Sequence, residues 1–518
     1  MQADRSSGIL LHPTSLPGPF GIGELGEEAY RFVDFLASSQ QHLWQVLPLG
    51  PTGYADSPYA SFSSFAGNHL LISLRQLAND GLLEEAALAS PPAFPTTSVD
   101  YGAVIEFKMP LLWQSFERFN ARATPDQRKW FEQFCQNNQH WIDDYALFMA
   151  LKDEHHGAPW TEWEPDLVAR KPEALSAWQN RLAERANFHA YLQYQFSMQW
   201  SSLKQHATAR SIQIVGDLPI FVAHDSADVW AHPELFYLDE TGSPTVVSGV
   251  PPDYFSATGQ RWGNPLYRWD KLAQTGYAWW IERFRAALAL VDLLRLDHFR
   301  GFEAYWEIPG TEETAVKGRW VPGPGADLFN ALEKALGQVP VIAEDLGVIT
   351  PGVVALRKQF GFPSMRVLQF GFSSDARNEH LPHNFERQTL VYTGTHDNDT
   401  TLGWYRTREP LEQHAVREYL ATDASNVSLD LIRLAFSSVA QFAIVPLQDV
   451  LALGSEARMN MPGRAAGNWA WRYQPGALQD WHRDWLAHIT RMFNRIPPTE
   501  PAHVEHTPAL HTPGAGAV

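Results

Sequence analysis

Eight short apolar segments, most of them separated by amphipathic stretches, constrain the fold of this chain more than any other feature. Their length and composition are typical of buried strands, and they read GILLHP (8–13), LWQVLPLG (43–50), IQIVGDLPIF (212–221), VDLLRLDHF (291–299), VPVIAEDLG (339–347), MRVLQFGF (365–372), LVYTGTHDN (390–398) and FAIVPLQDVL (442–451). Alternating strands and helices indicate a parallel sheet covered by helices. Eight units predict a (β/α)8 barrel of the TIM type, with an open doubly wound sheet as the alternative.

Two connections between predicted strands are too long for a simple barrel. We expect residues 1–73 to form the first part of the barrel and residues 74–205 a mainly helical inserted subdomain. Residues 206–496 would complete the barrel, with a loop subdomain at 222–270 and a further Gly/Pro-rich loop, RWVPGPGADLF, at 319–329. The tail at 497–518 is of low complexity and is predicted to be disordered.

Composition narrows the class of partner and the location. The net charge of −18 argues against nucleic acid and anionic membranes as partners, and no apolar run is long enough to cross a bilayer. A single cysteine, Cys135, allows no intramolecular disulfide, and no secretory signal is expected, so we predict a cytoplasmic location. No obligate protein partner is indicated.

Polar residues that could do chemistry close five of the predicted strands at their carboxyl ends. The ends of barrel strands meet at one rim, where active sites form, and these residues are Asp217, Arg295 with Asp297, Glu344 with Asp345, His396 with Asp397, and Gln448 with Asp449. Alternation along the fourth strand places Arg295 and Asp297 on one inward face. The sequence therefore predicts a cluster of charged side chains at one end of a barrel.

Three of these carboxyl groups are candidates for different roles. Arg295 is the expected partner of Asp297 and would favour its ionised form, which suits a nucleophile. Glu344 follows the apolar run VPVIA, where a carboxyl group has a raised pKa and can donate a proton. Together with Asp397, these groups are the equipment for cleaving a glycosidic bond. Aromatic residues in polar loops, such as Tyr59 and Trp262, suit sugar rings.

Simpler interpretations exist for several of these features. Asp297 could be half of a structural ion pair with Arg295, and Glu344 could cap the next helix, although we expect Asp345 to take that position. Asn398 and Asp399 are interpreted as turn formers. The GIGELG segment at 21–26 matches the dinucleotide-binding pattern, but Glu24 would stand near the pyrophosphate, so a turn-forming loop is favoured.

No metal or cofactor is indicated by the sequence. The histidines do not fall into the H-E-x-x-H pattern or a Cys/His ligand set, and no EF-hand-like string supports a calcium ion. We therefore predict no metal ligand and no cofactor.

The order of the motifs resembles that of the amylomaltases, the bacterial 4-alpha-glucanotransferases of the α-amylase clan. The motifs include SGILLHPTSLPGPFGIGELG, LPLGPTGYADSPYASFSSFAGN, VGDLPIFVAHDSADVW, GVPPDYFSATGQRWGNPLY, RLDHFRGF, IAEDLG and TGTHDNDTTLGW. The resemblance implies a glucan-transferring barrel enzyme that acts on maltooligosaccharides or starch-like α-glucans. It implies Asp297 as nucleophile, Glu344 as general acid/base and Asp397 as transition-state stabiliser.

The resemblance also implies a set of sugar-binding residues. They are Tyr59, Asp217, Arg295 and His396 near the cleavage point, Asp253, Gln260 and Trp262 on a loop over the acceptor side, and Asn468 as a further contact. Tyr54 is the corresponding candidate for a second glucan site. A lid that excludes water would favour transfer over hydrolysis. A related α-glucan hydrolase and a non-catalytic carbohydrate-binding protein are the alternatives.

Overall fold

The computed structural model describes residues 5–253, 256–464 and 466–496. The predicted disordered tail at 497–518 lies outside the described residues. No helix in the described ranges is long and apolar enough to cross a membrane.

Twelve strands occur in the described part of the chain. They are β1 (Ser6–Leu10), β2 (Leu43–Gln45), β3 (Gln213–Pro219), β4 (Val246–Val250), β5 (Gln260–Pro265), β6 (Leu293–Asp297), β7 (Ala304–Pro309), β8 (Arg319–Pro322), β9 (Val341–Ala343), β10 (Ser364–Val367), β11 (Thr389–Tyr392) and β12 (Phe442–Pro446). Eight of them, at the eight predicted positions, form one parallel sheet.

Twenty α-helices occur in the same ranges. They are α1 (Glu27–Ser38), α2 (Leu74–Asn79), α3 (Tyr101–Arg122), α4 (Pro125–Asn137), α5 (Gln139–Glu154), α6 (Pro165–Val168), α7 (Pro172–Arg181), α8 (Ala183–Thr208), α9 (Ala227–Ala231), α10 (Trp269–Gln274), α11 (Ala278–Leu290), α12 (Arg300–Glu303), α13 (Ala326–Leu336), α14 (Pro351–Gln359), α15 (Leu368–Gly371), α16 (Thr401–Arg406), α17 (Pro410–Leu420), α18 (Val427–Ser437), α19 (Leu447–Val450) and α20 (Asp480–Met492).

The parallel sheet curls into a barrel. Its strand order is β10-β11-β12-β1-β2-β3-β6-β9, and the two end strands meet where the amide of Ala343 donates to the carbonyl of Pro363 at 3.0 Å. The predicted (β/α)8 barrel is therefore confirmed, and the alternative of an open doubly wound sheet is wrong.

Strand β6 shows how the sequence pattern becomes a barrel wall. Leu294 and Leu296 are buried, while Arg295 and Asp297 alternate with them and point towards the other face. The apolar residues pack into the layer between sheet and helices, which leaves the charged pair at the carboxyl end of the strand on the inner side.

Several predicted strands end earlier than their apolar runs. The run at 365–372 turns into helix α15 after Val367, and the run at 442–451 turns into α19 after Pro446. A short apolar run does not by itself distinguish a buried strand from a buried helical turn, so only the tertiary structure sets these boundaries.

A second sheet lies among the connections that were predicted as loops. Strands β5, β4, β7 and β8 form it in that order, all in antiparallel pairs. The prediction of a loop at 319–329 is wrong at its start, because Arg319–Pro322 is strand β8. Short segments that contain Gly and Pro give no period-two pattern, which explains why the sequence did not reveal this sheet.

The segment at 74–205 holds helices α2 to α7 and most of α8, without a strand. Helix α8 crosses the expected boundary at residue 205 and leads directly to β3. Its carboxyl half packs against the barrel, since Trp200 donates from Nε1 to the carbonyl of Leu290 at 2.8 Å and His206 contacts Asp34 at 2.9 Å.

A buried ion pair joins helix α3 to the GIGELG loop. The Lys108 ammonium is fully buried against the Glu24 carboxylate and also donates to the carbonyls of Leu70 and Ile72, both at 2.8 Å. Burial raises the pKa of Glu24 and lowers that of Lys108, and the opposite charge of each partner counters the shift. The side chain of Glu24 therefore takes part in a structural ion pair.

We predict that breaking this pair destabilises the fold strongly. Lys108→Met should lower the free energy of unfolding by about 3–5 kcal/mol, because it leaves a carboxylate buried without its cation. Urea unfolding at pH 7 measures the change. Replacing both partners in Glu24→Gln/Lys108→Met should recover much of the loss.

The matched control is the exposed pair of Arg31 and Glu28, 2.7 Å apart on helix α1. Arg31→Ala should change the free energy of unfolding by less than about 1 kcal/mol. A loss of that small size for Lys108→Met would show that the buried pair does not anchor α3.

Candidate active site

The register between β3 and β6 builds the centre of the site. Asp217 on β3 stands directly beside Arg295 on β6, and Arg295 Nη1 donates to both oxygens of Asp217, each at 2.7 Å. Arg295 Nη2 lies 3.0 Å from Asp297 Oδ1. The guanidinium therefore bridges two carboxylates, where the sequence had suggested Asp297 alone as its partner.

Burial strengthens the interaction between the charges of this bridge. Arg295 and Asp217 are almost fully buried, and burial raises the pKa of Asp217 although the guanidinium lowers it. The pKa of Arg295 is raised, because the charges of Asp217 and Asp297 outweigh the penalty of burial. A charged Arg295 is thus a fixed feature of the site.

Tyr59 extends the network from the loop after β2. Its hydroxyl donates to Asp217 Oδ2 at 2.7 Å. Burial, reinforced by the negative charge of Asp217, raises the pKa of Tyr59, so the phenol stays a hydrogen-bond donor.

Three rings gather at this point. The ring of Tyr59 stacks on that of His396, with centroids 5.2 Å apart and planes at 22°. Trp469 lies 5.7 Å from Tyr59 and 5.8 Å from His396. This ring cluster joins the loop after β2 to the loops after β11 and β12, and its partly exposed ring is that of Tyr59.

Glu344 follows β9, which is the neighbour of β6 in the barrel. Its Oε2 accepts the amide of His298 at 2.8 Å, and its Oε1 accepts the amide of Leu346 at 3.0 Å. Because His298 is the residue after Asp297, the two carboxyl groups stand at adjacent strand ends, and adjacent strands lie about 4.8 Å apart.

The proton affinity of Glu344 is unusual for a carboxylic acid. Burial raises its pKa to about 8; Arg295 and the two backbone donors oppose the shift, and the charge of Asp297 adds to it. The sequence-based expectation of a raised pKa has the same direction. At neutral pH this group can hold a proton and donate it.

Asp397 occupies the loop after β11 and joins the same network. Asn460 Nδ2 donates to Asp397 Oδ1 at 2.6 Å, and His396 Nε2 lies 3.4 Å from the same oxygen. Arg458 Nη2 donates to the backbone carbonyl of Asp397 at 2.6 Å. About half of the Asp397 side chain is exposed, so it remains accessible from the rim.

A buried carboxylate holds both ends of the loop that carries His396 and Asp397. Asp449 accepts the hydroxyl of Thr393 at 2.6 Å, and it accepts the amide and the hydroxyl of Thr401, each at 2.7 Å. The loop therefore begins and ends on one side chain of the neighbouring β/α unit, which fixes the position of the residues between.

The three lid candidates lie on or near strand β5. Trp262 Nε1 donates to Gln260 Oε1 at 3.1 Å, and the Trp262 ring is 40% exposed. Asp253 accepts the amide of Ser256 at 2.7 Å in the loop that precedes the strand. These side chains are at the surface.

Two further candidates lie in surface loops. Asn468 closes its own loop, accepting the amide of Met461 at 2.9 Å and donating to the carbonyls of Met461 and Arg464 at 3.3 and 2.8 Å. Tyr54 is 78% exposed, in a turn whose next residue, Ala55, has φ +55°.

The sequence also led to one wrong assignment and one confirmed one. Asp345 does not cap a helix; Thr350 caps α14, and Asp345 accepts the amide of Met365 at 2.8 Å and pairs with Arg357 at 3.2 Å. Asn398 does form a turn, since its Oδ1 accepts the amide of Thr395 at 2.9 Å.

Asp399 is a hydrogen-bond acceptor at the same turn, taking the hydroxyl of Ser455 at 2.7 Å. Asn460, Arg458 and the supporting role of Asp449 were missed. They lie about fifty to sixty residues from the loop they hold, and no local pattern links them to it. No group of three or more potential metal ligands occurs in the described ranges.

The chain is similar to known proteins over most of its length. The family model described as 4-alpha-glucanotransferase, of glycoside hydrolase family 77, matches residues 11–479. A 4-alpha-glucanotransferase of Thermus thermophilus is 55% identical over 490 residues, 93% of this chain and 97% of the relative. One from Synechocystis sp. is 53% identical over 495 residues, 95% and 98% of the two chains.

A solved structure, amylomaltase from Streptococcus agalactiae in complex with acarbose, matches with a TM-score of 0.92 at 38% identity. The match covers 95% of this chain and 99% of that one. The (β/α)8 barrel, the carboxyl groups and aromatic rings at its rim, and the family match together place the chain among the carbohydrate-active barrel enzymes. Within that class, the chain belongs to the 4-alpha-glucanotransferase, or amylomaltase, family.

This membership settles the broad activity. The chain is a transferase that acts on α-1,4-glucans, as the resemblance of its motifs implied. The dinucleotide-binding interpretation of GIGELG is wrong, because Glu24 pairs with Lys108 there. The two alternatives, an α-glucan hydrolase and a non-catalytic carbohydrate-binding protein, do not describe this family.

We predict a pH-dependent stability effect at Glu344. The folded-state pKa of about 8 exceeds the ordinary 4.5, so the folded protein holds a proton that the unfolded chain has released between those values. Stability is therefore lost as pH rises through this window. Glu344→Gln removes the titration, and its Tm relative to wild type should be higher at pH 8.5 than at pH 5.5 by a few degrees.

Calorimetry at one scan rate at both pH values measures this difference. Glu27→Gln, at an exposed glutamate of helix α1, is the control and should show no such dependence on pH. Equal Tm differences for Glu344→Gln at the two pH values would contradict the raised pKa.

Proposed function

We propose that this enzyme transfers α-1,4-glucan segments to the 4-hydroxyl of a glucose or glucan acceptor with retention of configuration, through a covalent glycosyl-enzyme intermediate. Asp297 is the nucleophile, Glu344 the general acid and base, and Asp397 the stabiliser of the transition state. The observation that carries the proposal is the contrast between two adjacent carboxyl groups: a guanidinium 3.0 Å from Asp297 and a raised pKa at Glu344.

In the first step Glu344 gives its proton to the glycosidic oxygen while an Asp297 oxygen attacks the anomeric carbon. The bond to the leaving chain breaks, and an ester between Asp297 and the donor segment forms. In the second step the Glu344 carboxylate takes the proton of the acceptor hydroxyl, whose oxygen attacks the same carbon and releases Asp297. The proton and the carboxylate are restored.

Asp397 supports the oxocarbenium-like transition state of each of these two steps. Its oxygen is held by Asn460 and adjoins His396, and the clamp at Asp449 fixes the loop that carries it. A preorganised negative charge lowers the energy of a developing positive charge without reorganisation at the moment of reaction.

The remaining residues bind the sugar chain in this proposal. The ring cluster of Tyr59, His396 and Trp469 offers a flat surface for the apolar face of a glucose ring. Asp217 and Arg295 lie beside it as a buried ion pair, and they are assigned to sugar binding on the basis of the family motifs. Asp253, Gln260, Trp262 and Asn468 are assigned to sugar binding on the basis of the family motifs.

Transfer depends on keeping water from the intermediate. Water is present at about 55 M, so a sugar acceptor competes only if it is held in place and the site is covered. Strand β5 carries an exposed Trp262 whose ring contacts that of His298, the residue next to Asp297. We assign the acceptor-side lid to this strand.

The proposed partners are maltooligosaccharides or starch-like α-glucans, and the proposed mechanism uses no cofactor. We also propose that the enzyme needs no obligate protein partner and acts in the cytoplasm, where its single cysteine would remain reduced. Cell fractionation tests the location.

The products formed from maltotriose distinguish transfer from hydrolysis. Incubation with maltotriose should give a ladder of shorter and longer oligomers, because an acceptor hydroxyl intercepts the intermediate. Chromatography of the products measures this. Monotonic shortening to glucose and maltose would contradict transfer and would favour the hydrolase alternative.

Two donors with different leaving groups distinguish the role of Glu344 as acid from the role of Asp297 as nucleophile. Glu344→Gln should lose about 10²–10⁴-fold in kcat/KM on maltotriose, the range that general acid catalysis contributes. With α-maltosyl fluoride, whose leaving group needs no protonation, the first step should survive. The variant then lacks a base for the second step, so a protein adduct of one maltosyl unit should accumulate.

Intact-protein mass spectrometry detects that adduct. Asp297→Asn, a substitution of nearly the same shape, should give no adduct with either donor. An adduct on Asp297→Asn, or equal losses with both donors in Glu344→Gln, would overturn these role assignments.

A further inference from the structure

His298 occupies an unusual place between the lid and the two adjacent carboxyl groups. It directly follows Asp297 at the end of β6, and its φ of +53° lies in the left-handed region, which non-glycine residues seldom adopt. With this backbone conformation its amide donates to Glu344 Oε2 at 2.8 Å. Strained backbone held in place at a site of chemistry is often part of how the site works.

The imidazole ring supports the lid. It meets the ring of Trp262 edge-on, with centroids 4.8 Å apart and planes at 89°, and Phe221 flanks it at 6.4 Å. Perpendicular contacts of this kind are favourable for aromatic rings. Trp262 is otherwise held by Gln260 on its own strand, so His298 is its contact on the side of the barrel.

The ring is neutral and partly buried. Burial, with a contribution from Arg300, lowers the pKa of His298 to about 4 although Asp297 opposes the shift, so the imidazole is neutral at physiological pH. Its Nε2 is buried without a hydrogen-bond partner in the described ranges, and it faces Gly301, where an added Cβ would come within 3.6 Å. The contacts of this side chain with Trp262 and Phe221 are therefore packing contacts.

We propose that His298 is a positioning residue that sets the balance between transfer and hydrolysis. Its backbone amide positions the Glu344 carboxyl, and its ring holds Trp262 over the same centre, so the lid and the acid are fixed by one residue. Loss of the ring would loosen strand β5, admit water to the glycosyl-enzyme and leave the amide contact to Glu344 in place. This inference rests on the proposed double displacement.

Two variants remove the ring and keep the backbone. Asn and Gly both tolerate the left-handed conformation, so His298→Asn and His298→Gly retain the amide donor and are expected to fold. The transfer-to-hydrolysis ratio on maltotriose, measured as new oligomers against new reducing ends, should fall on the order of tenfold in both, because water competes better in a less covered site.

The matched control is His156, an exposed histidine after helix α5 with the same φ of +53°. His156→Asn makes the same chemical change in the same backbone conformation, and it should leave the ratio unchanged. An unchanged ratio in both His298 variants would overturn the proposal.

A double-substitution cycle tests whether the ring acts through Trp262. Trp262→Ala alone should lower the ratio, and His298→Gly should add little in that background, because the ring then has nothing to support. Independent, multiplicative effects of the two substitutions would overturn the proposal. So would a shift in the pH dependence of kcat/KM in His298→Gly, which would indicate an effect through Glu344.

Hydrogen exchange supplies a readout that does not require catalysis. Amides of strand β5 should exchange faster in His298→Gly than in wild type or His156→Asn, and unchanged exchange would contradict support of the lid. A wild-type enzyme that produces no oligomer ladder would instead refute the proposed function, so the two failures are distinguishable.

Discussion

The rest of the site depends on the ion pairs that the Arg295 guanidinium makes with two carboxylates. A buried cation is costly unless it is paired, and this one is satisfied by Asp217 on one side and Asp297 on the other. Because Asp217 also accepts the hydroxyl of Tyr59, the same bridge positions the ring cluster. Two strands and one loop are thus held in register by a single side chain.

Neighbouring parallel strands bring the side chains of this bridge together. They also place the carboxyl groups of Asp297 and Glu344 in different surroundings. Asp297 ends β6 beside a positive charge, whereas Glu344 follows β9 and receives backbone amides. Burial dominates at Glu344 and raises its pKa to about 8. Two similar groups at neighbouring strand ends therefore have different surroundings, which is how one rim can supply distinct chemical roles.

Around this centre, connections that leave the barrel determine what the site can exclude. The clamp by Asp449 fixes the loop of His396 and Asp397 from the next β/α unit. The antiparallel sheet of β5, β4, β7 and β8 presents Trp262 over the residue next to Asp297. In the proposed mechanism, transfer in preference to hydrolysis therefore depends on this added structure rather than on the barrel itself.

The sequence alone indicated the positions of the eight barrel strands, their alternation with helices and most of the polar residues that follow the strands. Local periodicity and burial encode these features, as the apolar alternation around Arg295 illustrates. The direction of the pKa shift at Glu344 also followed from the apolar residues before it. The order of the motifs was enough to indicate the family.

Only the tertiary structure decided which side chains meet. The pairing of Arg295 with Asp217 depends on strand register across 78 residues of chain, and the contact of Asn460 with Asp397 spans 63 residues. The second sheet and the support of Trp262 by His298 likewise join segments that are distant in sequence. Such contacts depend on how whole elements pack, and no local pattern of one segment records the position of another.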